Sequence, residues 1–328
     1  MRLIKKLLLW GSLLLLLVAG AGAYLASKPL DMPSLPLEFS VKQGESLKLT
    51  VRQLEAEGKL QDGWKLIWLA RVMGKSTRIQ AGNYELDSSP SPLELLEMLT
   101  SGRTSQRAVV LIDGWTFKQL RQALNENPDV AHDSLALSES EILQRIGASE
   151  RRAEGLFFPD TYYIPKGVSD LTILKRAYDA MRQRLNENWQ TRTSNLPLKS
   201  PYEALILASI VEKETGSAQD RAMIAAVFIN RLRLGMLLQT DPTVIYGLGD
   251  RFDGNLRKRD LLTDTPYNTY TRAGLPPTPI AMPGLAALQA TLNPAQSKAL
   301  YFVARGDGSS EFSNTLEQHN RAVRRYQR

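Results

Sequence analysis

The stretch Ile206–Gly216, ILASIVEKETG, runs from a block of apolar and small side chains directly into two acids, Glu212 and Glu214. A block of this kind is typical of a buried helix, and carboxylates are unexpected at the end of one. A carboxyl group held against apolar neighbours is desolvated, which raises its pKa towards the range where it donates a proton near neutral pH. The pattern therefore indicates a general acid, and the alternative is that both acids are solvated at a fraying helix end.

The helix that carries this stretch has a predicted beginning at Ser200. Ser200 can cap the helix, Pro201 suits its first position, and Glu203 completes an S-x-x-E capping box. With about 100° per residue, Glu214 shares the azimuth of the most apolar stripe, whereas Glu212 lies over smaller residues. The stripe consists of Leu207, Ile210 and Val211, and the smaller residues are Ala208 and Ser209. This placement favours Glu214 as the acid, with Glu212 as the second candidate.

The composition limits the class of protein. A chain of 328 residues favours two soluble units, and 41 Lys and Arg against 34 Asp and Glu give a net charge of +7. This charge is compatible with nucleic acid, anionic lipid or an acidic wall polymer, without deciding among them. The absence of cysteine excludes disulfides, thiolate nucleophiles and lipoprotein attachment, and His132 and His319 lack the spacing of metal ligands. We therefore expect neither a metal nor a cofactor.

The N-terminus predicts a membrane anchor. Residues 1–6 contain Arg2, Lys5 and Lys6, and residues 7–26 are uncharged and long enough to span the hydrocarbon core. The positive-inside rule makes 1–6 a cytoplasmic tail and places the body of the chain outside. No later segment is long and apolar enough to span.

A cleaved signal peptide is the alternative interpretation of the N-terminus. Ala21–Ala23 has the small-x-small form that signal peptidase accepts. The apolar run continues past it through Tyr24 and Leu25, which favours retention. A Pro-containing linker follows over residues 27–36.

Residues 37–106 predict a small α+β unit. Its segment FSVKQGESL, residues 39–47, weakly resembles the opening of a LysM repeat, a glycan-binding module, and a structural spacer is the alternative. The predicted elements are a strand over Leu37–Val41, a helix through Leu47–Leu54 that ends at Gly58, a helix over Trp64–Val72, a strand over Gly82–Leu86 and a helix over Ser91–Thr100.

Residues 107–328 predict a larger mixed α+β domain. A constrained loop over Glu154–Tyr162 and a polar loop over Gln239–Thr243 interrupt its helices. The predicted regular elements are a strand over Ala108–Ile112, a helix after Phe117, short helices around Leu137, Ile142 and Ile146, a helix over Leu171–Gln190, the helix from Ser200, a helix through Phe228–Arg233 that ends at Gly235, and an apolar run at Leu300–Val303.

Seven motifs in this domain resemble the endolytic murein transglycosylases, the MltG or YceG-like family. The resemblance covers nearly all of residues 107–328, and the run from Ala208 to Tyr246 is highly specific. The membrane anchor and the LysM-like unit agree with the layout of that family. The motifs are EGLFFPDTYY from Glu154, ASIVEKET from Ala208, FINRLR from Phe228, QTDPT from Gln239, YNTY from Tyr267, GLPPTPI from Gly274 and NPA from Asn293.

The resemblance implies cleavage of peptidoglycan between N-acetylmuramic acid and N-acetylglucosamine, leaving a 1,6-anhydro ring on the muramic acid. One acid is enough for this reaction, because it protonates the glycosidic oxygen and then takes the proton of the O6 hydroxyl that closes the ring. Ordinary glycosidases need two carboxylates. The catalytic glutamate of the family falls on Glu214, the residue that the apolar stripe also selects.

Further candidates for substrate binding lie in the same motifs, each with a structural alternative. The first group is Asn230, Gln239, Thr240 and Asp241, and a helix end followed by an Asp-Pro turn is the structural alternative for some of them. The second group is Tyr267, Asn268 and Tyr270, for which a buried aromatic pair is the alternative. The third group is Glu154 and Asp160, the best candidates for a second carboxylate, and a turn is the alternative for Asp160.

The sequence therefore predicts a single-pass protein of the bacterial inner membrane with a periplasmic lytic transglycosylase domain. Its predicted partners are peptidoglycan strands, the inner membrane and, through the resemblance, membrane-bound peptidoglycan synthases, with no nucleic acid. Strand termination is the role that the resemblance implies. A water-using muramidase and a non-catalytic wall-binding or division scaffold are the alternatives. A second acid, Asp241 or Asp160, facing Glu214 would favour the muramidase.

Overall fold

The computed structural model describes residues 2–102 and 106–327. It has a mixed α+β architecture, which confirms the predicted fold class. The chain forms two compact units, of which the first comprises Met1–Arg107 and Tyr163–Lys166 and the second Ala108–Tyr162 and Gly167–Arg328.

The first unit is a two-stranded sheet with helices around one apolar core. Strands β1 and β2 pair antiparallel, with Leu37 opposite Leu86 and Val41 opposite Gly82. Leu37, Val51, Leu66 and Leu95 lie in the core and are almost fully buried. The elements are α1 (Arg2–Ser27), β1 (Leu37–Val41), α2 (Leu47–Ala56), α3 (Gly63–Val72), β2 (Gly82–Leu86) and α4 (Pro92–Ser101).

Local signals explain the ends of these helices. Ser46 caps α2 through the backbone N–H of Leu49. Ser91 and Glu94 form a complete capping box on α4, which ends at Gly102 in the left-handed conformation. The predicted elements of this unit therefore agree with the structure to within one or two residues.

Helix α1 is the only helix in the described part of the chain that is long and apolar enough to cross a membrane, over Leu9–Ser27. Its apolar side chains from Leu9 to Val18 are exposed. The last turns differ, because Gly22, Leu25 and Ala26 are partly buried and α1 packs against α3 and α4.

The rest of the described chain contains most of the helices and three short strand pairings, two of which lie wholly within the second unit. Strand β3 pairs with β5, β4 lies parallel to β6, and β7 and β8 form an antiparallel hairpin. The elements are β3 (Gln106–Val110), α5 (Phe117–Asn125), β4 (Val130–Ala131), α6 (Glu139–Ile146), β5 (Thr161–Pro165), β6 (Val168–Ser169), α7 (Asp170–Gln190), α8 (Pro201–Glu214), α9 (Arg221–Arg233), α10 (Asp241–Leu248), α11 (Lys258–Leu262), α12 (Leu285–Leu292), β7 (Tyr301–Ala304), β8 (Ser310–Ser313) and α13 (Leu316–Tyr326).

Helix α8 lies at the centre of this unit, packed against α7, α9, α10 and α12. Every residue from Ala204 to Val211 is buried. The helix is therefore apolar around its whole circumference and has no separate apolar stripe. The position around the helix axis that favoured Glu214 therefore does not distinguish it from Glu212. Any difference in role between the two acids must come from the groups that their carboxylates contact.

Four predicted features of this part of the chain need correction. Strand β3 begins two residues before the predicted strand, and Leu137 precedes α6, whose cap is Ser138. The predicted polar loop ends early, because α10 begins at Asp241 with Pro242 in its first turn. The capping box of α8 is half formed, since Ser200 accepts from the Glu203 N–H while the Glu203 carboxylate accepts from the Lys199 N–H instead.

Candidate active site

Glu214 is the last residue of α8 and faces the beginning of α10. Its carboxylate accepts a hydrogen bond from the Thr240 hydroxyl. Burial raises the pKa of Glu214 and nearby Asp241 raises it further, although the Thr240 bond and the Arg231 charge oppose both. Desolvation is the largest of these effects, so the site favours a protonated carboxyl group.

Thr240 is held rigidly by a buried set of threonines. The Thr240 N–H donates to the Thr269 hydroxyl over 3.1 Å, and the Thr243 hydroxyl donates to the Thr240 carbonyl over 2.7 Å. The hydroxyls of Thr243 and Thr269 are 2.8 Å apart, and all three threonines are almost fully buried. The position of the hydroxyl that contacts Glu214 is therefore set by the core of the unit.

The residue before Thr240 has a strained backbone. Gln239 has φ of 50°, in the left-handed region that residues other than glycine rarely adopt. Its N–H donates to the Thr269 carbonyl over 3.1 Å, and its side chain is exposed. This conformation turns the chain sharply into α10 and brings the exposed Gln239 side chain next to the residue that contacts Glu214.

Arg231 supports this loop, and its role was missed in the sequence. From α9 it donates to the carbonyls of Leu237 and Leu238 over 3.2 and 2.8 Å, and to the Leu300 carbonyl over 2.7 Å. Its guanidinium lies 5.1 Å from the centre of the Tyr301 ring. Burial lowers the pKa of Arg231, while its interaction with Glu214 raises it. Arg233, two residues later on the same helix, is exposed, and nothing in the sequence distinguishes the two arginines.

Asp241 is the second carboxylate next to Glu214. It follows Thr240 directly and accepts a hydrogen bond from the Tyr270 hydroxyl over 2.5 Å. Burial, followed by the bond to Asp241, raises the pKa of Tyr270, so this phenol remains a donor. Glu214, Thr240, Asp241 and Tyr270 thus form one cluster, as four of the predicted site residues.

Glu212 has different partners, although it is only two residues away. Its carboxylate accepts from the Gly284 N–H over 3.1 Å. Burial raises the pKa of Glu212 and Asp113 raises it further, whereas Gly284, Arg221 and Lys213 lower it. An added Cβ at Gly284 would lie 2.4 Å from a carboxylate oxygen of Asp113, so a larger residue there would require the Asp113 side chain to move.

This contact holds the segment from Gly274 to Gly284 against α8. Ser209 accepts from the Ile280 N–H over 3.0 Å, and the Glu212 bond to Gly284 lies one turn further along. The Met282 carbonyl and N–H pair with Gly114 and Trp115. The Glu212 carboxylate therefore contacts this loop, whereas the Glu214 carboxylate contacts Thr240.

Glu154 and Tyr267 lie in a separate groove of about 1090 Å³ between α5 and α10. The Glu154 carboxylate accepts from the Phe117 N–H over 2.9 Å and from the Tyr246 hydroxyl over 3.1 Å. Burial raises the pKa of Glu154 to about 7 despite these donors. Tyr267 packs edge-on against Tyr246, and its hydroxyl is 2.8 Å from that of Thr278.

The remaining predicted residues have structural partners. Asn230 donates to the carbonyls of Ser297 and Ala299, and the buried Asn268 donates to those of Leu261 and Thr263. These side-chain amides connect loops to helices, and their N–H groups are occupied by the backbone carbonyls. Asp160 is exposed and accepts from the N–H of the next residue over 2.7 Å, as a turn former does.

Within the described residues, no group of three or more His, Cys, Asp or Glu side chains is arranged to hold a metal ion. The cluster itself offers a carboxyl group whose pKa burial raises, a neighbouring carboxylate, and hydroxyl donors. Such a set transfers protons and stabilises positive charge.

Comparison with known proteins gives concordant matches. The model of the YceG-like family matches residues 39–325. An endolytic murein transglycosylase of Bacillus subtilis is 30% identical over 93% of this chain and 90% of its own. One of Streptococcus pneumoniae D39 is 28% identical over 95% of this chain, which spans 63% of that longer relative. The crystal structure of a YceG-like protein from Listeria monocytogenes superposes with a TM-score of 0.52 at 28% identity, covering 87% of this chain and 99% of that one.

Proposed function

The chain belongs to the YceG-like family, and on this premise we propose that it is an endolytic murein transglycosylase that cleaves peptidoglycan strands with Glu214 as its catalytic acid. The name of the curated relatives supports the reaction, and the partly buried carboxyl of Glu214 supports the residue. That single carboxyl, whose pKa burial raises and which contacts the Thr240 hydroxyl, is the observation that carries the proposal.

In the proposed reaction, Glu214 gives its proton to the glycosidic oxygen as the bond from C1 of N-acetylmuramic acid breaks. The resulting Glu214 carboxylate takes the proton of the O6 hydroxyl of the same sugar, and O6 forms a bond to C1. The products are a free hydroxyl on N-acetylglucosamine and a 1,6-anhydro muramic end. The acid is regenerated and no water is consumed, so one carboxyl group serves both steps.

Asp241 gives the muramidase alternative a structural basis, since a second carboxylate lies next to Glu214. We assign Asp241 a different role, because its carboxylate accepts from Tyr270 and adjoins the Thr240 that contacts Glu214. From this position its negative charge keeps Glu214 protonated and stabilises positive charge that develops at C1. Glu154 lies in the separate groove, where its two carboxylate oxygens accept from Phe117 and Tyr246, and we give it no part in the cleavage step.

The test of the proposed reaction is a digest of purified glycan strands in isotopically heavy water. We expect mass spectrometry to find anhydro muramic ends without heavy oxygen, since O6 of the substrate is the nucleophile. Heavy oxygen at the new muramic ends would make the protein a muramidase. Uncut strands, under conditions where the protein is folded, would favour the scaffold alternative.

Asp241→Asn is expected to shift the pH profile of cleavage. Removing the negative charge lowers the pKa of Glu214, so its protonated form is lost at lower pH. The alkaline limb of the pH–rate profile should therefore move to lower pH. The amide oxygen of Asn can still accept from Tyr270. Rates measured against pH check this result, with the exposed Asp264→Asn as the control. An unchanged alkaline limb would remove Asp241 from the assigned role.

We assign the groove of Glu154, Tyr246 and Tyr267 to the glycan strand beyond the cleavage site. Its aromatic rings are suited to packing against the apolar faces of sugars, and its tyrosine hydroxyls are suited to hydrogen bonds with sugar hydroxyls. Helix α10 supports this assignment, since Asp241 at its beginning and Tyr246 near its end are about 7 Å apart along the axis. Gln239 is assigned to the acetamido groups of the substrate because its side chain is exposed beside Thr240.

The domain layout belongs to the same proposal. Helix α1 anchors the chain in the bacterial inner membrane, with residues 1–6 in the cytoplasm and the catalytic domain, residues 107–328, in the periplasm. The basic residues before the apolar run support this orientation. Residues 37–106 act as a LysM-like glycan-binding subdomain. At the membrane the enzyme cuts nascent strands beside peptidoglycan synthases and so terminates their elongation.

A further inference from the structure

Helix α3 presents a partly exposed apolar face on the outside of the first unit. Trp64, Trp68 and Val72 are 54%, 38% and 66% exposed. They are spaced four residues apart, so they lie within an arc of about 80° on one side of the helix. Two exposed tryptophans in one row are unusual for a surface in contact with water alone.

The opposite side of α3 makes the contacts that hold the helix in place. Gly63, Leu66 and Ala70 are buried there, and a Cβ added to Gly63 would collide with Val51 of α2. The tryptophan face therefore contributes little to the core of the unit. Packing within the unit therefore does not explain why the exposed side chains on this face are apolar.

The position of α1 supplies that explanation. A Cβ added to Gly22 of α1 would lie 3.2 Å from the tip of the Trp68 ring, so this ring rests directly on the apolar helix. Gly22 is five residues before the end of α1 at Ser27, about 7 Å along the axis. If α1 spans the bilayer, the exposed part of Trp68 lies at the depth of the interface, where tryptophan is enriched.

The charges around the tryptophan face suit an anionic surface. Residues 62–78 contain four basic side chains and one acid, Asp62, which pairs with Lys65. Arg71 is exposed and lies beside Trp64 and Trp68 on the helix, and Lys75 follows the turn at Gly74 that ends α3. Basic side chains near such a surface are attracted to anionic lipid.

We propose that α3 is a second membrane contact, which lies in the interface with Trp64, Trp68 and Val72 among the acyl boundary and Arg71 and Lys75 at anionic headgroups. The inference rests on the proposed anchoring by α1. Its consequence is that the first unit is fixed against the bilayer by two contacts and does not swing freely on α1.

The test uses the full chain reconstituted in vesicles of phosphatidylethanolamine and phosphatidylglycerol. Because the chain has no cysteine, a single introduced cysteine takes one environment-sensitive fluorophore. The three variants are Val72→Cys on the tryptophan face, Leu15→Cys within α1, and Leu49→Cys, an exposed position on α2, which packs on the opposite side of α3. Nitroxide-labelled lipids report contact with the membrane at each position.

We expect the label at 72 to shift to the blue and to lose emission to a nitroxide near the headgroups, the label at 15 to respond to a deep nitroxide, and the label at 49 to respond to neither. Quenching at 15 without quenching at 72 would overturn the second contact and leave the anchor intact. A blue shift at 72 without quenching would mean that protein covers this face, which also overturns the proposal. No quenching at 15 would remove the anchor, and the inference with it.

A double variant tests the contribution of the basic side chains to the membrane contact. Arg71→Glu with Lys75→Glu is expected to reduce quenching at 72 in these vesicles, since the face is then repelled by phosphatidylglycerol. The label at 15 should remain quenched, because α1 is unchanged. Equal quenching at 72 with and without the two substitutions would overturn the assignment of these bases to headgroups.

Discussion

Glu214→Gln is expected to lower the rate of strand cleavage by about 10²-fold or more. The amide has nearly the shape of the carboxyl group but has no proton to give to the glycosidic oxygen. Its oxygen can still accept from the Thr240 hydroxyl, so the loop before α10 should keep its position. Release of anhydro-ended fragments, followed by mass spectrometry, measures the loss, and circular dichroism verifies the fold.

Glu212→Gln is the matched control for this variant. It removes an acid from the same helix, two residues away, whose pKa burial also raises. The amide oxygen can still accept from the Gly284 N–H, so the segment held against α8 should stay in place. We expect most of the activity to remain. Reversed phenotypes, or normal cleavage by both variants, would contradict the assignment of the acid.

Arg231→Met is expected to have the second largest effect. It leaves three backbone carbonyls without their donor, among them those of Leu237 and Leu238 in the loop before Gln239. Removing a buried, charged donor of this kind costs about 3 kcal/mol or more in free energy of unfolding. A shift of the loop by about 1 Å would lower the cleavage rate on the order of 10²-fold. Chemical denaturation and cleavage assays measure the two effects.

Two further measurements separate positioning of Glu214 from simple loss of stability. Arg231 lowers the pKa of Glu214, so its removal should move the alkaline limb of the pH profile upwards among the molecules that remain folded. Arg233→Met on the same helix is the control, because Arg233 is exposed and bonds to Asn230 and Asn195 over 3.3 and 3.2 Å. It should change stability by no more than about 0.5 kcal/mol. An unmoved alkaline limb in Arg231→Met would assign Arg231 to the fold alone.

Much of the fold was predictable because its signals are local. Ser91 and Ser200 stand at the beginnings of their helices, and a capping bond involves residues only three apart. The alternation of Leu37, Phe39 and Val41 likewise predicts a strand without reference to the rest of the chain. Such features are decided by neighbours in sequence, whatever the tertiary structure.

The roles of individual site residues were less predictable, because each depends on a partner far along the chain. Asn230 and Asn268 resemble sugar-binding amides in the sequence, but their donors are taken by backbone carbonyls. Tyr267 is close in sequence to Tyr270 yet lies in the groove with Tyr246, while Tyr270 bonds to Asp241. Arg231 has no mark in the sequence that distinguishes it from Arg233.

The sequence by itself determined the membrane-spanning composition of α1, the buried character of α8, the family, and the two acids at the end of α8. The resemblance assigned the acid to Glu214, but only the tertiary structure gave the two acids different partners, since α8 is buried on all sides and its periodicity carries no direction. Glu214 meets Thr240, and Glu212 meets Gly284. The physical reason is that helix formation and burial depend on residues a few positions apart, whereas a carboxyl group takes its protonation state from charges and donors that folding brings to it.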